Sequence, residues 1–588
     1  MAESLRAGHG FFCARAEEAG GLPRVVEREF EEPMASTSSF LQSKLAVMRP
    51  LLTGRATRLL TNWRSTMLWA GVLIATVYVV VYPFFLATYP PITDLPLHGT
   101  DTSILRHYFD PAYHFREQFE LHFLEMPYAT QYFLGAFFAL FLSITWATKL
   151  TAAMMLLLLP AGLAVLFHGM KKSALWGVLG LGFVWCSLTH WGFLNFMAAI
   201  GLFTMCAGFT LLVVNRPTRS RQIWLGVTLA AIFVTHFYRF PFALATVVGI
   251  TVVMYPSTRK WKPVLAPLAA AMTLFGLWSL VKKSGLSGSI GPIALHRERL
   301  AEIPEYLFSA FVGPEETEAA TEMLWVVGGL FVLTAGLFFL QGRHRGRHFR
   351  SLWWGAGVTV IPLLLGSAFM LAYLILPMSI GPWWFVYPRE VTTAGYVALA
   401  AMPDLPKAWW LRLPLLAVFA VISGRLAFIT ATHWHEFQES THDFRAIKEQ
   451  IPNAPKLLFL IFDHSGSARR VSPYVHLPAW VQAEKGGWLS WHPAVTGDLH
   501  PIRYRRGADL PPPVPLRWEW TPERFDLKAN GTYFDTFLVR SAAAPDYLFA
   551  ADPSIRSVAH LGHWWLYRRD RPSPLKDAAH REQSAPEH

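Results

Sequence analysis

Long uninterrupted runs of apolar residues dominate the pattern along this chain from about residue 66 to residue 431. A helical run of roughly 20 such residues is long enough to cross the hydrocarbon core of a bilayer. The runs predict eleven spans, near 66–88, 150–168, 174–190, 193–214, 222–238, 241–256, 263–281, 324–340, 352–376, 389–403 and 411–431. We therefore predict an α-helical polytopic membrane protein.

The loops between these runs differ in their content of lysine and arginine, which indicates the orientation of the chain. The difference is largest if the apolar stretch 129–147 does not span but lies along the surface or re-enters as an interfacial helix. The N-terminal flank and the loops on its side then carry 19 basic residues, against eight on the other side. Because cytoplasmic loops carry the basic excess, we expect a cytoplasmic N-terminus and an extracytoplasmic C-terminus.

Three regions follow from this topology. Residues 1–65 form a cytoplasmic N-terminal segment, residues 66–431 form the transmembrane domain with an outer loop at 89–128, and residues 432–588 form an extracytoplasmic soluble domain. The last region has strand-like runs at 456–462, 534–540 and 564–568, separated by turns rich in proline and glycine. We therefore predict an α/β fold for it.

Composition and charge narrow the class of partner. Apolar residues make up 53% of the chain and charged residues only 16%, well below the quarter that is typical of soluble proteins. A net charge of +12 would suggest nucleic acid if it lay on one soluble face. Here the excess lies in short membrane loops, so no nucleic-acid partner is expected. The three cysteines predict no disulfide framework.

The first outer loop contains a group of ionisable residues with helical spacing. Asp94, His98 and Asp101 are spaced i, i+4 and i+7, so they share one face if a helix begins near Asp94. Such a face could carry a general base, a pair of metal ligands, or both. The alternative is an N-cap aspartate followed by solvated polar residues.

Further polar residues lie at the outer ends of later spans. Arg239 and Arg389 stand out because positive charge is otherwise scarce there, and the arginine fork suits phosphate or carboxylate. The alternative is that each arginine extends independently to the lipid headgroups. The other candidates for substrate contact at these ends are His190, Asn195 and His236.

The order of these features resembles a known family. A cytoplasmic N-terminus and one span lead to an outer loop with an early acidic motif, Asp94-Leu-Pro-Leu-His98, and then to an interfacial helix ending near Trp146-Ala-Thr-Lys149. Many spans and an outer α/β region follow. The chain thus resembles the GT-C fold of integral-membrane glycosyltransferases that use polyprenyl-phosphate sugars, and in particular a poorly characterised bacterial branch. The Asp-Glu pair that is commoner in this loop is absent, as is a WWD motif, which argues against protein N-glycosylation.

The resemblance implies a function. It suggests a hexosyl- or pentosyltransferase that moves a sugar from a polyprenyl-phosphate donor to a glycan, lipid or protein acceptor at the outer face. Asp94 would be the catalytic base or a metal ligand, with His98 or Asp101 orienting it or helping it to hold Mg²⁺ or Mn²⁺. No other cofactor follows from the resemblance. The partners that it implies are membrane lipid and the lipid-linked sugar, and the location that it implies is the bacterial inner membrane. The alternative is a non-enzymatic transporter, flippase or assembly protein for lipid-linked glycans. The sequence does not indicate an oligomeric state.

Overall fold

The computed structural model describes residues 63–282, 291–307, 314–341, 349–380, 383–466, 468, 471–505, 507, 511 and 518–571. The described residues from Arg64 onward belong to one compact unit. The first 62 residues of the predicted cytoplasmic segment lie outside the described residues, as does part of the predicted long loop at 282–322. The boundary that we predict at residue 431 lies within a helix that continues to Ser440, so the three-region division stays a prediction.

Most of the described chain is helical. The helices are α1 (Trp63–Val81), α2 (Leu95–Arg106), α3 (Phe115–Gln118), α4 (Thr130–Phe138), α5 (Ile144–Gly169), α6 (Ser187–Trp191), α7 (Leu194–Asn215), α8 (Arg219–Thr235), α9 (Phe240–Thr258), α10 (Leu265–Val281), α11 (Ile303–Leu307), α12 (Pro314–Gln341), α13 (Phe349–Ile375), α14 (Val386–Ala398), α15 (Trp409–Ser440), α16 (His442–Glu449) and α17 (Ala479–Lys485).

Among the described residues, eight helices are long and apolar enough to cross a membrane. They correspond to eight of the eleven predicted spans. The other three predicted spans correspond to helices shorter than these eight: a 3₁₀ helix at Ala174–Phe183, the 17-residue α8 and the 13-residue α14. Burial explains the first, because its residues from Leu175 onward are all buried. A segment enclosed by protein does not have to form one regular helix across lipid, so the count of eleven spans stays a prediction.

The stretch 129–147 does not form one spanning helix. Its helix α4 has nine residues, which corresponds to a length of about 14 Å, and α5 begins separately at Ile144. Since about 20 residues are needed to cross a bilayer, the structure confirms the prediction that this stretch contains a short helix that does not cross by itself.

The C-terminal region contains a five-stranded mixed sheet, as the strand-like runs predict. The strands of the described residues are β1 (Phe119–Leu121), β2 (Ser379–Ile380), β3 (Trp383–Trp384), β4 (Lys456–Ile461), β5 (Trp488–Leu489), β6 (Ile502–Tyr504), β7 (Thr536–Arg540), β8 (Ile555–Leu561) and β9 (Trp564–Arg569). The order in the five-stranded sheet is β5-β4-β7-β9-β8, in which β4 pairs in parallel with β5 and β7, and β9 pairs antiparallel with β7 and β8.

The C-terminal region packs directly on the loop that follows α1. Helix α17 lies against α2, where the Thr100 hydroxyl donates to the Ala479 carbonyl at 2.9 Å. A Cβ atom on Gly99 would lie 2.5 Å from the Trp480 ring, so only glycine permits this close approach. Strand β1 also pairs with β6, with Phe119 opposite Tyr504. Contacts at two places thus join the loop after α1 to the C-terminal region.

Candidate active site

A cavity of about 260 Å³ lies where α2, α14 and the C-terminal region meet. Its wall combines ionisable side chains with aromatic ones. The lining residues are Asp94, Leu97, His98, Asp101, Met126, Tyr128, Tyr132, Gly192, Phe193, His236, Tyr238, Arg389, Trp491, Pro493 and His500. The predicted shared face of Asp94, His98 and Asp101 is therefore confirmed, because all three residues line one cavity.

Asp94 precedes α2 and is held from the C-terminal region. Within the described structure, its side chain caps no backbone N–H of α2, so the predicted N-cap interaction is wrong. Instead the His476 Nδ1–H donates to Asp94 Oδ1 at 3.0 Å. His476 is itself fixed by stacking on Trp491, with ring centroids 5.0 Å apart. The Asp94 side chain remains 30% exposed, so a hydroxyl group in the cavity can reach the carboxylate.

The short segment ending at Gly192 supports Asp94 from the other side. The Asp94 N–H donates to the Trp191 carbonyl at 3.3 Å, and His98 Nε2 donates to the Gly192 carbonyl at 3.0 Å. Gly192 has φ +97°, and a Cβ atom there would lie 2.7 Å from the Asp94 Cβ. Glycine is required for both reasons, since other residues disfavour this backbone region and would displace the aspartate.

We expect Gly192→Ala to lower activity about a hundredfold, because a shift of 1 Å in a catalytic group has an effect of this size. The measurement is the transfer rate of the purified protein. Gly507 also has positive φ (+73°), but no described heavy atom lies within 4 Å of a Cβ placed there. Gly507→Ala is therefore the matched control for backbone strain. An equal loss in both variants would mean that Gly192 does not act by placing Asp94.

Asp101 is buried between two imidazoles. Its carboxylate oxygens lie 3.3 Å from His492 Nε2 and 3.4 Å from His500 Nε2. His492 Nδ1 accepts from the Ala494 N–H at 3.0 Å, so the neutral ring carries its proton on Nε2, facing Asp101. Burial raises the pKa of Asp101, but the two histidines outweigh burial and hold the pKa well below its usual range. Asp101 is therefore an ionised group that orients its neighbours.

The three histidines around Asp101 differ in the direction in which their pKa is shifted. Burial lowers the pKa of His98 and the pKa of His492, so both rings favour the neutral form. Burial also opposes the charged form of His500, yet the Asp101 carboxylate outweighs it and raises the pKa of His500. His500, which lines the cavity, therefore favours its protonated form more strongly than His98 or His492 does.

Arg389 brings positive charge to the cavity wall. Its guanidinium lies 4.2 Å from the centroid of the Phe193 ring, and one NH2 group donates to the Trp384 carbonyl at 3.2 Å. Its buried Nε–H has no hydrogen-bond partner among the described residues. A guanidinium has five N–H donors, so donors remain for an anion that enters the cavity. His236 lines the same wall.

Arg239 does not reach the described wall of this cavity. Its guanidinium is 2% exposed and forms an ion pair with Glu390 at 2.8 Å, and it also donates to the Thr393 hydroxyl at 2.8 Å. A carboxylate inside the protein thus already satisfies Arg239, and substrate contact by Arg239 stays a prediction.

His190 and Asn195 are also buried outside the described cavity lining. His190 Nδ1 lies 3.2 Å from the Cys186 carbonyl, and the Trp434 indole N–H donates to His190 Nε2 at 3.4 Å. Both ring nitrogens therefore have hydrogen-bond partners within the protein, so the geometry indicates a structural role for His190. Asn195 is 1% exposed on the first turn of α7. Substrate contact by either residue stays a prediction without support from the cavity geometry.

We expect Arg239→Ala to destabilise the fold by about 3–5 kcal/mol, because it leaves the buried Glu390 carboxylate unpaired. The measurement is the thermal unfolding midpoint of the detergent-purified protein. Adding Glu390→Gln to this variant should recover part of the loss, since the unpaired charge is then removed. An unchanged midpoint combined with lost activity would instead assign Arg239 to substrate contact.

The side chains at the cavity do not fit the predicted divalent-cation site. Among the described residues, no group of three or more His, Cys, Asp or Glu side chains is arranged to hold a metal ion. Mg²⁺ and Mn²⁺ prefer several oxygen ligands. Here Asp94 accepts from His476, and Asp101 is enclosed by two imidazoles. No step of the chemistry below is therefore assigned to a metal.

Several cavity residues were not among the sequence-based candidates. Tyr128, Tyr132, Trp491 and His500 line the wall, and His476 holds Asp94. Tyr128 lies just before α4 and Tyr132 lies within it. The sequence signal that could have indicated them is a pair of tyrosine hydroxyls in and beside a short helix that does not span the membrane. His476 and His500 belong to the C-terminal region, whose sequence pattern indicates strands and turns but not which loop meets Asp94.

A comparison with solved structures finds a likeness in the course of the chain. No family model matches the chain, and no curated protein matches it. The chain is similar to ArnT from Cupriavidus metallidurans, which was solved bound to undecaprenyl phosphate, with 13% sequence identity and a TM-score of 0.48. The likeness covers 86% of this chain and 98% of that chain. At a TM-score below 0.5 such a likeness is no basis for a function, which has to come from the geometry of the cavity.

Proposed function

We propose that this protein is a membrane glycosyltransferase that moves a sugar from a polyprenyl-phosphate donor to a hydroxyl group of a glycan, lipid or protein acceptor. The observation that carries the proposal is that the Asp94 carboxylate and the Arg389 guanidinium line one cavity beside the membrane helices. A base for a hydroxyl and a cation for a phosphate are the two groups that this reaction needs.

Asp94 has the geometry of a general base. His476 donates to one carboxylate oxygen and fixes the group, while the side chain stays partly open to the cavity. In the reaction, the acceptor oxygen forms a bond to the anomeric carbon and its proton passes to Asp94. The bond between that carbon and the phosphate oxygen breaks, and the phosphate leaves with the electron pair.

Arg389 has the geometry of an anion stabiliser. The departing lipid phosphate gains negative charge as the bond breaks, and a fixed guanidinium stabilises that charge without reorganising. The Phe193 ring and the Trp384 carbonyl hold Arg389 in place. The unpartnered N–H adds a donor that no described protein group uses. His98 lines the same wall, and its Nδ1, which has no partner among the described residues, would accept a hydrogen bond from a sugar hydroxyl. His500 also lines this wall, and its protonated form would stabilise a phosphate nearby.

The test is a transfer assay with the purified full-length protein in nanodiscs. A labelled polyprenyl-phosphate hexose or pentose is supplied together with a total envelope extract as acceptor, and labelled product and free polyprenyl phosphate are measured. We expect both to form in equal amounts. Movement of the intact lipid-linked sugar between leaflets without cleavage would support the transporter alternative, and no turnover of any donor would support an assembly role.

A further inference from the structure

A second cleft, of about 650 Å³, lies apart from the candidate active site. Its described lining shares no residue with the described lining of the first cavity. It forms where the loop after α1, the start of α5 and helix α17 meet, with Thr88, Ser143, Lys149 and Glu484 among its polar residues. A ligand here would not meet Asp94 or Arg389.

Lys149 is the charged group of this cleft that lacks an ionic partner. It is 3% exposed, donates to the Ala87 carbonyl at 2.8 Å and lies 3.9 Å from the centroid of the Trp146 ring. No carboxylate lies within 4.0 Å of its ammonium group among the residues that the structure describes. An ammonium has three N–H donors, and a buried cation without an anion is unfavourable.

The carboxylate in the cleft is already neutralised. Glu484 accepts from the Tyr89 hydroxyl at 2.9 Å and from the Thr145 hydroxyl at 2.8 Å, and it forms an ion pair with Lys448. Glu484 therefore does not neutralise the positive charge of Lys149. Helix α5 adds to it, because Ser143 caps its N-terminus and its first turn has no acidic residue, so the positive end of the helix dipole faces this region.

Lys149 lies near the N-terminal end of a helix that is long and apolar enough to cross a membrane. It lies six residues after the Ser143 cap, about 9 Å along the axis of a spanning helix. Apolar side chains beside the cleft face outward, with Phe85 65%, Leu142 41% and Trp146 41% exposed. Exposed aromatic residues at this level are typical of the lipid interface, and these side chains can contact acyl chains while the polar wall holds a headgroup.

We infer that this cleft binds the phosphate headgroup of an anionic membrane phospholipid, with Lys149 as its cation and the hydroxyls of Thr88 and Ser143 as further donors. The membrane phospholipid is favoured over the lipid-linked substrate because the cleft offers no free carboxylate base beside the ligand. The inference goes beyond the proposed function and does not depend on it, since it concerns a site that the transfer reaction does not use.

The test is native mass spectrometry of the full-length protein in detergent, titrated with phosphatidylglycerol or with phosphatidylcholine of the same chain length. We expect retention of phosphatidylglycerol and a loss of affinity on the order of tenfold to a hundredfold in Lys149→Gln, since a charge-assisted hydrogen bond is removed. Lys149→Arg should retain binding. Lys172→Gln is the matched control, because Lys172 also donates to backbone carbonyls, of Ala400 and Met402, and does not line this cleft.

A second variant covers the case in which Lys149→Gln fails to fold. Thr88 is exposed at the rim, so Thr88→Glu should repel the headgroup without touching Lys149 and should weaken phosphatidylglycerol binding to a similar extent. Equal binding of both phospholipids, or wild-type binding by Lys149→Gln and Thr88→Glu, would overturn the inference. Displacement of phosphatidylglycerol by an equimolar amount of polyprenyl phosphate would also overturn it and would assign the cleft to the substrate.

Discussion

Asp94→Asn should abolish sugar transfer, with a fall in kcat of about 10²–10⁴-fold, while the protein remains folded and membrane-inserted. The change keeps the size of the side chain and an oxygen that can still accept from His476, which lies 3.0 Å away. It removes only the capacity to take a proton, and general base catalysis contributes a factor of this size. The measurement is the single-turnover rate with a polyprenyl-phosphate sugar in nanodiscs.

Glu117→Gln is the matched control for this variant. Glu117 lies in the same predicted outer loop, but its side chain is 62% exposed and, among the residues that the structure describes, pairs only with His114. We expect it to leave both the rate and the unfolding midpoint unchanged. Wild-type turnover by Asp94→Asn would remove the general-base role and, with it, the main support for the proposed reaction.

Arg389→Ala should lower kcat/KM by about 10²–10³-fold, and Arg389→Lys should recover little of it. The loss follows because charge on the leaving phosphate is no longer stabilised. Lysine restores one charge but not the planar fork, and it does not stack on an aromatic ring in the same way. Arg389 uses this geometry, since its guanidinium lies 4.2 Å from the Phe193 ring and donates to the Trp384 carbonyl.

Arg556→Ala controls for the removal of an arginine as such. The Arg556 side chain is 73% exposed at the sheet edge and lies 3.5 Å from Asp570, so its removal should change neither kcat nor KM. Full activity of Arg389→Lys would mean that Arg389 only extends to the headgroups. A fall in the unfolding midpoint of Arg389→Ala, as large as that expected for Arg239→Ala, would make its role structural.

The membrane helices and one face of the site follow directly from sequence patterns. Runs of apolar residues located the eight long helices, and the i, i+4, i+7 spacing placed Asp94, His98 and Asp101 together. These predictions succeed because they depend on local periodicity alone. The count of eleven full spans stays a prediction, because apolar composition does not distinguish a segment facing lipid from one enclosed by protein.

The different roles of the two arginines could not be predicted from their positions. Glu390 is next to Arg389 in sequence, yet it pairs with Arg239, 151 residues away. Consecutive residues on a helix point about 100° apart, so neighbouring charges face different surroundings. The partner of a buried arginine is therefore set by tertiary packing. The same is true of His476, which reaches Asp94 across 382 residues.

The contact between His476 and Asp94 joins two parts of the cavity that are synthesised at different times. The ribosome makes Asp94 early, but His476 and His500 are made after all of the long apolar helices. Until the final fifth of the chain folds onto α2, the membrane part exists without a complete cavity. A chain that ends before His476 therefore contains the membrane helices but lacks the His476 and His500 side chains of the cavity.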